Sequence, residues 1–329
     1  MRICVYGAGA VGGHIAGRLA AAGETEVSLI ARGKQLAAIK EHGLRVETRE
    51  GPLLSHPTAT DRPSDLPAQD IVIVAVKAPA LPSIAESIAS LLHDDSRVVF
   101  VMNGIPWWYF SSHGGPLDGI KLRRLDPLGS LWDLIGPQQV VGAVAYTACT
   151  VTEPGVVHAE NARNRLIIGR PDGKADATLE ALASLLTPSG LEVTVTSKIR
   201  DAIWTKLVMN LIGGSLAVLS ASPMKDVLSK ASIAGTAKSM ADEGVAIAHA
   251  LGCDPGDPEE GLKKLATSSH LQSIAQDLLA GRSMEIDGLF RVPLDLAELV
   301  EVPTPNLEFV IELATQRARS AGLYEDTQK

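Results

Sequence analysis

The chain has 329 residues, 46% of them hydrophobic and 21% charged, with a formal net charge of −8. That length accommodates two domains with full cores, and that composition excludes a disordered chain. The acidic balance argues against a nucleic-acid partner or an anionic membrane surface, a local basic pocket aside.

No uninterrupted apolar run is long enough to span a bilayer, and no membrane partner is expected. No charged-then-apolar signal segment precedes the first strand, so a cytoplasmic location is the expectation. Cys4, Cys149 and Cys253 are isolated. Neither a disulfide framework nor a metal site is expected from them.

In chain order, the pattern opens with an apolar strand that runs straight into Gly7-Ala8-Gly9-Ala10-Val11-Gly12. This is G-x-G-x-x-G, the turn that holds a dinucleotide pyrophosphate. Gly7 permits a tight turn, Gly9 lets backbone approach phosphate, and Gly12 lets the helix sit close to the strand. A helix follows through Ile15, Ala16, Leu19 and Ala20, and its first N–H groups face the anion. A second strand spans 26–31 and ends in Arg32-Gly33-Lys34. An NAD-binding domain ends this strand with Asp or Glu. A guanidinium at 32 can instead grip a 2′-phosphate, which favours NADP(H) over NAD(H); a solvated loop arginine is the plain alternative.

A helix near 35–42 and a polar stretch over 44–66 with short strand-like pieces come next. The apolar run 70–76 reads as a strand buried on both faces. It ends at Lys77, and a further buried strand over 97–102 ends at Asn103-Gly104. Strand signals continue over 140–151 and 165–168, then a helix over 175–186 and a strand over 191–195. Beyond Ser197 helical periodicity takes over. The expected architecture is α/β: a Rossmann doubly wound sheet over 1–196, then an all-helical domain over 197–329 for substrate and dimerisation. Ligands bind beyond the carboxyl ends of parallel strands. That rule puts Gly7, Arg32, Lys77 and Asn103 on one rim. Lys77 is a candidate for cofactor phosphate or ribose, and Asn103 for nicotinamide ribose or substrate. Singly, each is equally a polar strand end.

In the second half, Lys206 and Asn210 are four apart, so a helix puts both on one face, among Leu207, Val208, Met209 and Leu211. A desolvated lysine is a more acidic ammonium. A carbonyl reductase needs such a proton donor. A lysine snorkelling to water is the other reading. Ser273 and, past the Gly281 break, Glu285 form a second cluster. Asp277 and Asp287 within it read as helix caps or braces. His158 reads as a strand-edge structural residue, because no acidic orienter is adjacent in sequence.

At these residues the chain resembles the ketopantoate reductase (2-dehydropantoate 2-reductase) family over nearly its full length. The likeness rests on the glycine turn, Arg32, Val76-Lys77, Asn103-Gly104 and Thr152-Glu153-Pro154-Gly155. Trp204-x-Lys206-x-x-x-Asn210 and the signature from Ser273 through Gln276-Asp277 and Gly281-Arg282 to Glu285-Ile286-Asp287 are its specific parts. The resemblance implies NADPH-dependent reduction of a 2-oxo acid, 2-dehydropantoate to pantoate first, for pantothenate biosynthesis. It implies Lys206 as general acid and Asn210 as the residue that orients substrate. Ser273 would bind the substrate carboxylate, and Glu285 would hold a substrate hydroxyl or brace Lys206. It also implies a homodimer.

Two departures stand out. The family's second asparagine is replaced by Gly214, which removes an amide and is expected to open space. A run of aromatics, Trp107-Trp108-Tyr109-Phe110, follows Asn103-Gly104. It could line a bulkier pocket, form a lid or pack at an interface. Two competing functions follow: a related 2-oxo acid or hydroxyacid dehydrogenase with a bulkier substrate, and a non-catalytic NADPH-binding sensor. A sensor has no need of a buried proton donor, which counts against it.

Overall fold

A computed structural model of the chain describes residues 1–23, 25–160 and 164–326. It divides into two compact units, Met1–Met102 with Trp107–Ile199, and Asn103–Pro106 with Arg200–Lys329.

The first unit starts with β1 (Arg2–Tyr6), α1 (Ala10–Ala22), β2 (Glu26–Ile30) and α2 (Gly33–His42). Next come β3 (Leu44–Thr48), β4 (Gly51–Ser55), β5 (Thr58–Thr60), β6 (Ile71–Val74), α3 (Ala85–Ala89) and β7 (Arg97–Val101). It continues with α4 (Ser130–Leu134), β8 (Val140–Tyr146), β9 (Cys149–Glu153), β10 (Val156–Ala159), β11 (Arg165–Gly169), α5 (Ala177–Leu186) and β12 (Glu192–Val195). Among the described residues, eight strands form one sheet in the order β12-β11-β8-β7-β6-β1-β2-β5. All neighbours are parallel except β8 and β11. The stretch from β5 to β8 follows the Rossmann order 3-2-1-4-5-6, so the expected α/β architecture is present. All four residues of β6 are buried, as a strand covered on both faces requires.

The strand signal over 140–151 resolves into two strands. Buried Val140–Tyr146 stays in the large sheet, whereas the mostly exposed Cys149–Glu153 joins a second, four-stranded sheet in the order β4-β3-β10-β9. Helix α1 packs on β1 and β2 and also on strands of this small sheet. Two glycines of α1 make that second contact possible. A Cβ on Gly13 would sit 2.8 Å from Val157, and one on Gly17 would collide with Val46.

The aromatic run is core, not surface. Trp107, Trp108, Tyr109 and Phe110 are at most 1% exposed. Trp107 meets Phe100 edge-on at 5.6 Å and Trp132 at 6.0 Å. Trp108 lies over Gly142 of β8, where a Cβ would come within 2.6 Å of the indole. The glycine makes the room that the ring fills, so the interface reading of this run fails.

The second unit carries α6 (Ile199–Ser220), α7 (Met224–Val227), α8 (Ala231–Ala250), α9 (Glu259–Thr267) and α10 (Ser273–Leu279). A π-helical turn, Asp287–Arg291, leads into α11 (Val292–Leu299), and α12 (Pro305–Ser320) follows. Helix α6 is long and apolar enough to cross a membrane by length and composition, which the sequence reading did not anticipate; most of it is buried in the chain. Glu243 of α8 caps α12 from outside. Its carboxylate accepts from the backbone N–H of Asn306 at 3.0 Å and of Leu307 at 2.7 Å. A carboxylate at a helix N-terminus satisfies donors that have no partner within the helix.

Candidate active site

In the first unit, the parallel register sets Tyr6 opposite both Ile30 and Val74, so the loops after β1, β2 and β6 leave at one level. Strand order reverses between β1 and β6, the switch point where open α/β sheets bind ligands. Gly7 and Lys77 flank it.

The three motif glycines have different reasons to be glycine. Gly7 has φ +110°, and a Cβ there would sit 2.7 Å from Val76. A Cβ on Gly12 would run into the Gly7 carbonyl oxygen. The protein's own packing therefore dictates both. Gly9 has an ordinary φ of −75°, and a Cβ built there meets no atom within 4 Å. No atom within 4 Å of a Cβ requires glycine at 9, which leaves that space open to a ligand. Gly9 is the N-cap of α1 and offers no side chain to the helix's first N–H groups. This cradle fits a dinucleotide pyrophosphate.

Ala8 and Ala10-Val11 complete the turn. The Ala8 carbonyl accepts from Gln35 Nε2 at 2.9 Å, and Gln35 Oε1 accepts from the Gly155 N–H at 3.0 Å. The Thr152–Gly155 segment is thus a hairpin turn that braces the glycine loop through Gln35. Sequence reading missed Gln35; the only hint was its place in the first turn of α2. Arg32 is exposed at the N-cap of α2. Burial pushes the Tyr6 phenol above its usual pKa, while a hydrogen bond with Ser87 and the Arg32 charge pull it back. The Arg32 guanidinium is therefore within electrostatic reach of the end of β1. Half-buried Lys77 follows β6 as N-cap of a short 3-10 turn.

In the second unit, α6 presents Lys206 and Asn210 one turn apart, both half-buried. Burial lowers the Lys206 pKa to about 8, and the charge of Glu285 opposes the drop. Two residues 79 apart in sequence are thereby brought into one electrostatic unit. Ser273 opens α10 and is exposed. Its neighbours pack on α6 next to Asn210: a Cβ on Gly213 would touch Gln272 at 3.4 Å, and one on Gly214 would touch Ile274 at 3.4 Å and Phe290 at 3.3 Å. The expectation that Gly214 opens space is thus wrong. The Phe290 ring and Ile274 already fill that place.

Asn103 is half-buried and belongs to this second unit. The residue after it, Gly104, has φ +79°, and a Cβ there would collide with the Gly288 backbone. The Ile105 N–H donates to the Gly288 carbonyl at 2.9 Å. The Asn103 segment is therefore docked on the turn that follows Glu285. Asp277 receives Arg282 Nε at 2.9 Å and Asp287 receives the Tyr324 hydroxyl at 2.7 Å, so both act as braces.

His158 lies outside this group. It sits on β10, an inner strand of the small sheet rather than an edge, with its Nδ1 3.8 Å from Glu47 on β3. The acidic neighbour arrives across strands, invisible to linear reading. Among the described residues, no group of three or more metal-ligating side chains is assembled.

A Rossmann sheet with a phosphate cradle, joined in one chain to a helical unit holding a desolvated lysine beside a carboxylate, defines a nicotinamide-dinucleotide oxidoreductase. The profile of the family "Ketopantoate reductase PanE/ApbA" matches residues 3–173, and that of its C-terminal domain matches 198–318. The chain belongs to the ketopantoate reductase family. A 2-dehydropantoate 2-reductase of Mesorhizobium japonicum is 38% identical, over 98% of this chain and all of that protein. The crystal structure of a PanE/ApbA family ketopantoate reductase from Ralstonia eutropha superposes with TM-score 0.83 at 26% identity, covering 98% of this chain and all of the other. A D-mandelate dehydrogenase structure with NADH and anilino(oxo)acetate shares the fold, with TM-score 0.81 at 20% identity over 98% of this chain and all of that one.

Proposed function

We infer that the chain reduces 2-dehydropantoate to pantoate with NADPH. The observation that carries the reading is the Lys206 ammonium: desolvated, drawn down to about 8, and held short of a larger drop by Glu285. When bound, the nicotinamide supplies hydride to the substrate's carbonyl carbon. The residues of this chain do the rest. Lys206 stabilises the charge that grows on the carbonyl oxygen and then gives it a proton. Glu285 keeps Lys206 protonated near neutral pH and offers a carboxylate to a substrate hydroxyl. Asn210 and Asn103 orient the substrate, Asn103 also serving the nicotinamide ribose, and Ser273 binds the substrate carboxylate. Gly7 to Gly12 hold the pyrophosphate, Lys77 a phosphate or ribose hydroxyl, and Arg32 the 2′-phosphate that separates NADP(H) from NAD(H). The family resemblance supports the roles of Lys206, Asn210, Ser273 and Glu285, and the places of Arg32, Lys77 and Asn103 after strands support theirs; the domains divide the labour: 1–196 for cofactor, 197–329 for substrate and dimerisation. We place the enzyme in the cytoplasm as a homodimer. Phe309 and Leu313, exposed one turn apart on α12, are candidates for the subunit contact.

The test is turnover of purified chain with 2-dehydropantoate and a panel of other 2-oxo acids, comparing NADPH with NADH. Oxidation of NADPH, fastest with 2-dehydropantoate, is expected. Tight NADPH binding without turnover on any 2-oxo acid would make the chain a sensor instead.

A further inference from the structure

We propose that the segment after α12, residues 321–326, is a strap that positions Glu285, with Tyr324 as the residue that fixes it. The inference rests on the role assigned to Glu285 above. Glu285 sits in irregular backbone between α10 and the π-helical turn, so no helical ladder holds it from the N-terminal side. The strap supplies what the ladder would. Gly322, at φ +68°, reverses the chain after α12, and the turn is tied by Gly322 N–H to the Arg319 carbonyl (2.9 Å) and Leu323 N–H to the Ala318 carbonyl (3.0 Å). The Leu323 carbonyl then accepts from Met284 N–H at 3.4 Å, one residue before Glu285. The Tyr324 hydroxyl donates to Asp287 Oδ1 at 2.7 Å, two residues after it.

These two bonds bracket Glu285. The strap itself is held down on α12: Arg319 pairs with Asp326 at 3.0 Å, and its guanidinium lies 5.7 Å from the Tyr324 ring centroid. Met284, Ile286 and Tyr324 are buried, so the bracket closes over a packed segment. The brace extends further. Asp287 precedes Gly288, whose carbonyl holds Ile105 and with it the Asn103 segment. One phenol therefore steadies two segments that bear site residues. A tyrosine that merely anchors this segment would stabilise the fold and leave the Lys206–Glu285 pair unchanged.

The two roles separate in the full-length protein. Tyr324→Phe and Asp287→Ala each remove one half of the bond, and Asp287→Asn keeps a carbonyl acceptor for the phenol. Lys206 is titrated by NMR of isotope-labelled lysine in the cofactor-free chain, and kcat and KM are measured with NADPH and 2-dehydropantoate. The negative charge of Glu285 favours protonated Lys206, so displacing it lowers the Lys206 midpoint. Tyr324→Phe and Asp287→Ala are expected to lower it by about half a pH unit. They should also cut kcat by about tenfold with KM for NADPH unchanged. The double variant should be no worse than either single one, and Asp287→Asn should behave as wild type. A midpoint and kcat within twofold of wild type in both removal variants overturn the proposal. So does Asp287→Asn failing as badly as Asp287→Ala. If Tyr324→Phe does not fold, the Asp287 pair decides alone. A wild-type chain that reduces no 2-oxo acid, yet shows the shifted Lys206 midpoint in the variants, keeps the strap and discards the activity.

Discussion

The glycine turn of the first unit and the Lys206 face of the second are built in opposite ways. At the turn, the Gly7 N–H is tied to the Ile30 carbonyl at 3.1 Å, and the start of α1 is defined by what is missing: a side chain at 9 and a side-chain cap on the helix. In the second unit, Lys206 on α6 feels the charge of Glu285, the start of α10 packs on α6 beside Gly213 and Gly214, and the 103–106 segment is bonded to the turn after Glu285. The first site is bound to fold correctly once its strand and helix form. The second needs four separate stretches of chain placed by packing, and it accordingly carries more bracing: Arg282 on Asp277, Tyr324 on Asp287, Gly288 on Ile105.

The sharpest way to break this contrast is Lys206→Met. It should lower kcat by about 10²–10⁴-fold, the usual worth of a general acid, while NADPH affinity measured by fluorescence stays put. Loss of cofactor binding instead would mean that Lys206 serves the wrong half of the chemistry. The same group sets a pH limit. The ammonium is the donor and its pKa is about 8, so the rate of reduction should fall as pH rises through that value. Glu285→Gln removes the charge that favours the ammonium, which should move the fall to lower pH.

Gly9→Val and Gly12→Ala, compared, sharpen the other side. A Cβ at 9 meets no atom of the protein within 4 Å, so valine there should lower the melting temperature less than alanine at 12 does. It blocks charge-assisted bonds to phosphate worth about 1.5–3 kcal/mol, so NADPH affinity should fall about 10–100-fold. Alanine at 12 collides with the Gly7 carbonyl and should cost about 1–3 kcal/mol of stability. Equal melting temperatures for the two variants would refute the distinction between the glycines. The smallest effect belongs to Arg32→Ala. Arg32 is exposed, so its grip on a 2′-phosphate is screened, and the preference for NADPH over NADH should narrow by about tenfold. An unchanged preference removes Arg32 from cofactor selection.

The same contrast explains what was legible in the amino-acid sequence. The glycine turn could be read because its requirements are local: φ at Gly7, close approach at Gly12, strand before and helix after. The doubly wound class followed from the alternation of strands and helices with buried runs such as 70–76, whereas the strand order came only from the structure. The Lys206–Glu285 pair could not be read from spacing, because nothing local ties residue 206 to residue 285; only family resemblance joined them. Gln35 escaped notice because its two partners, Ala8 and Gly155, lie 27 residues before and 120 after it. The interface reading of the aromatic run failed because adjacency in sequence looks like a patch. Its rings find separate partners in Phe100, Trp132 and Gly142, and only the three-dimensional sheet shows that. Gly214 was misjudged likewise, since the atoms that fill its neighbourhood come from residues 274 and 290.

The small four-stranded sheet bears on cofactor binding in another respect. It packs on α1 as β1 and β2 do, and residues 12–19 of that helix are all buried. A helix gripped between two sheets has little freedom left to lose. The donors at its tip are therefore immobilised at synthesis rather than at encounter, and the ordering entropy that a pliant anion site would surrender with every ligand is spent a single time, when the chain folds.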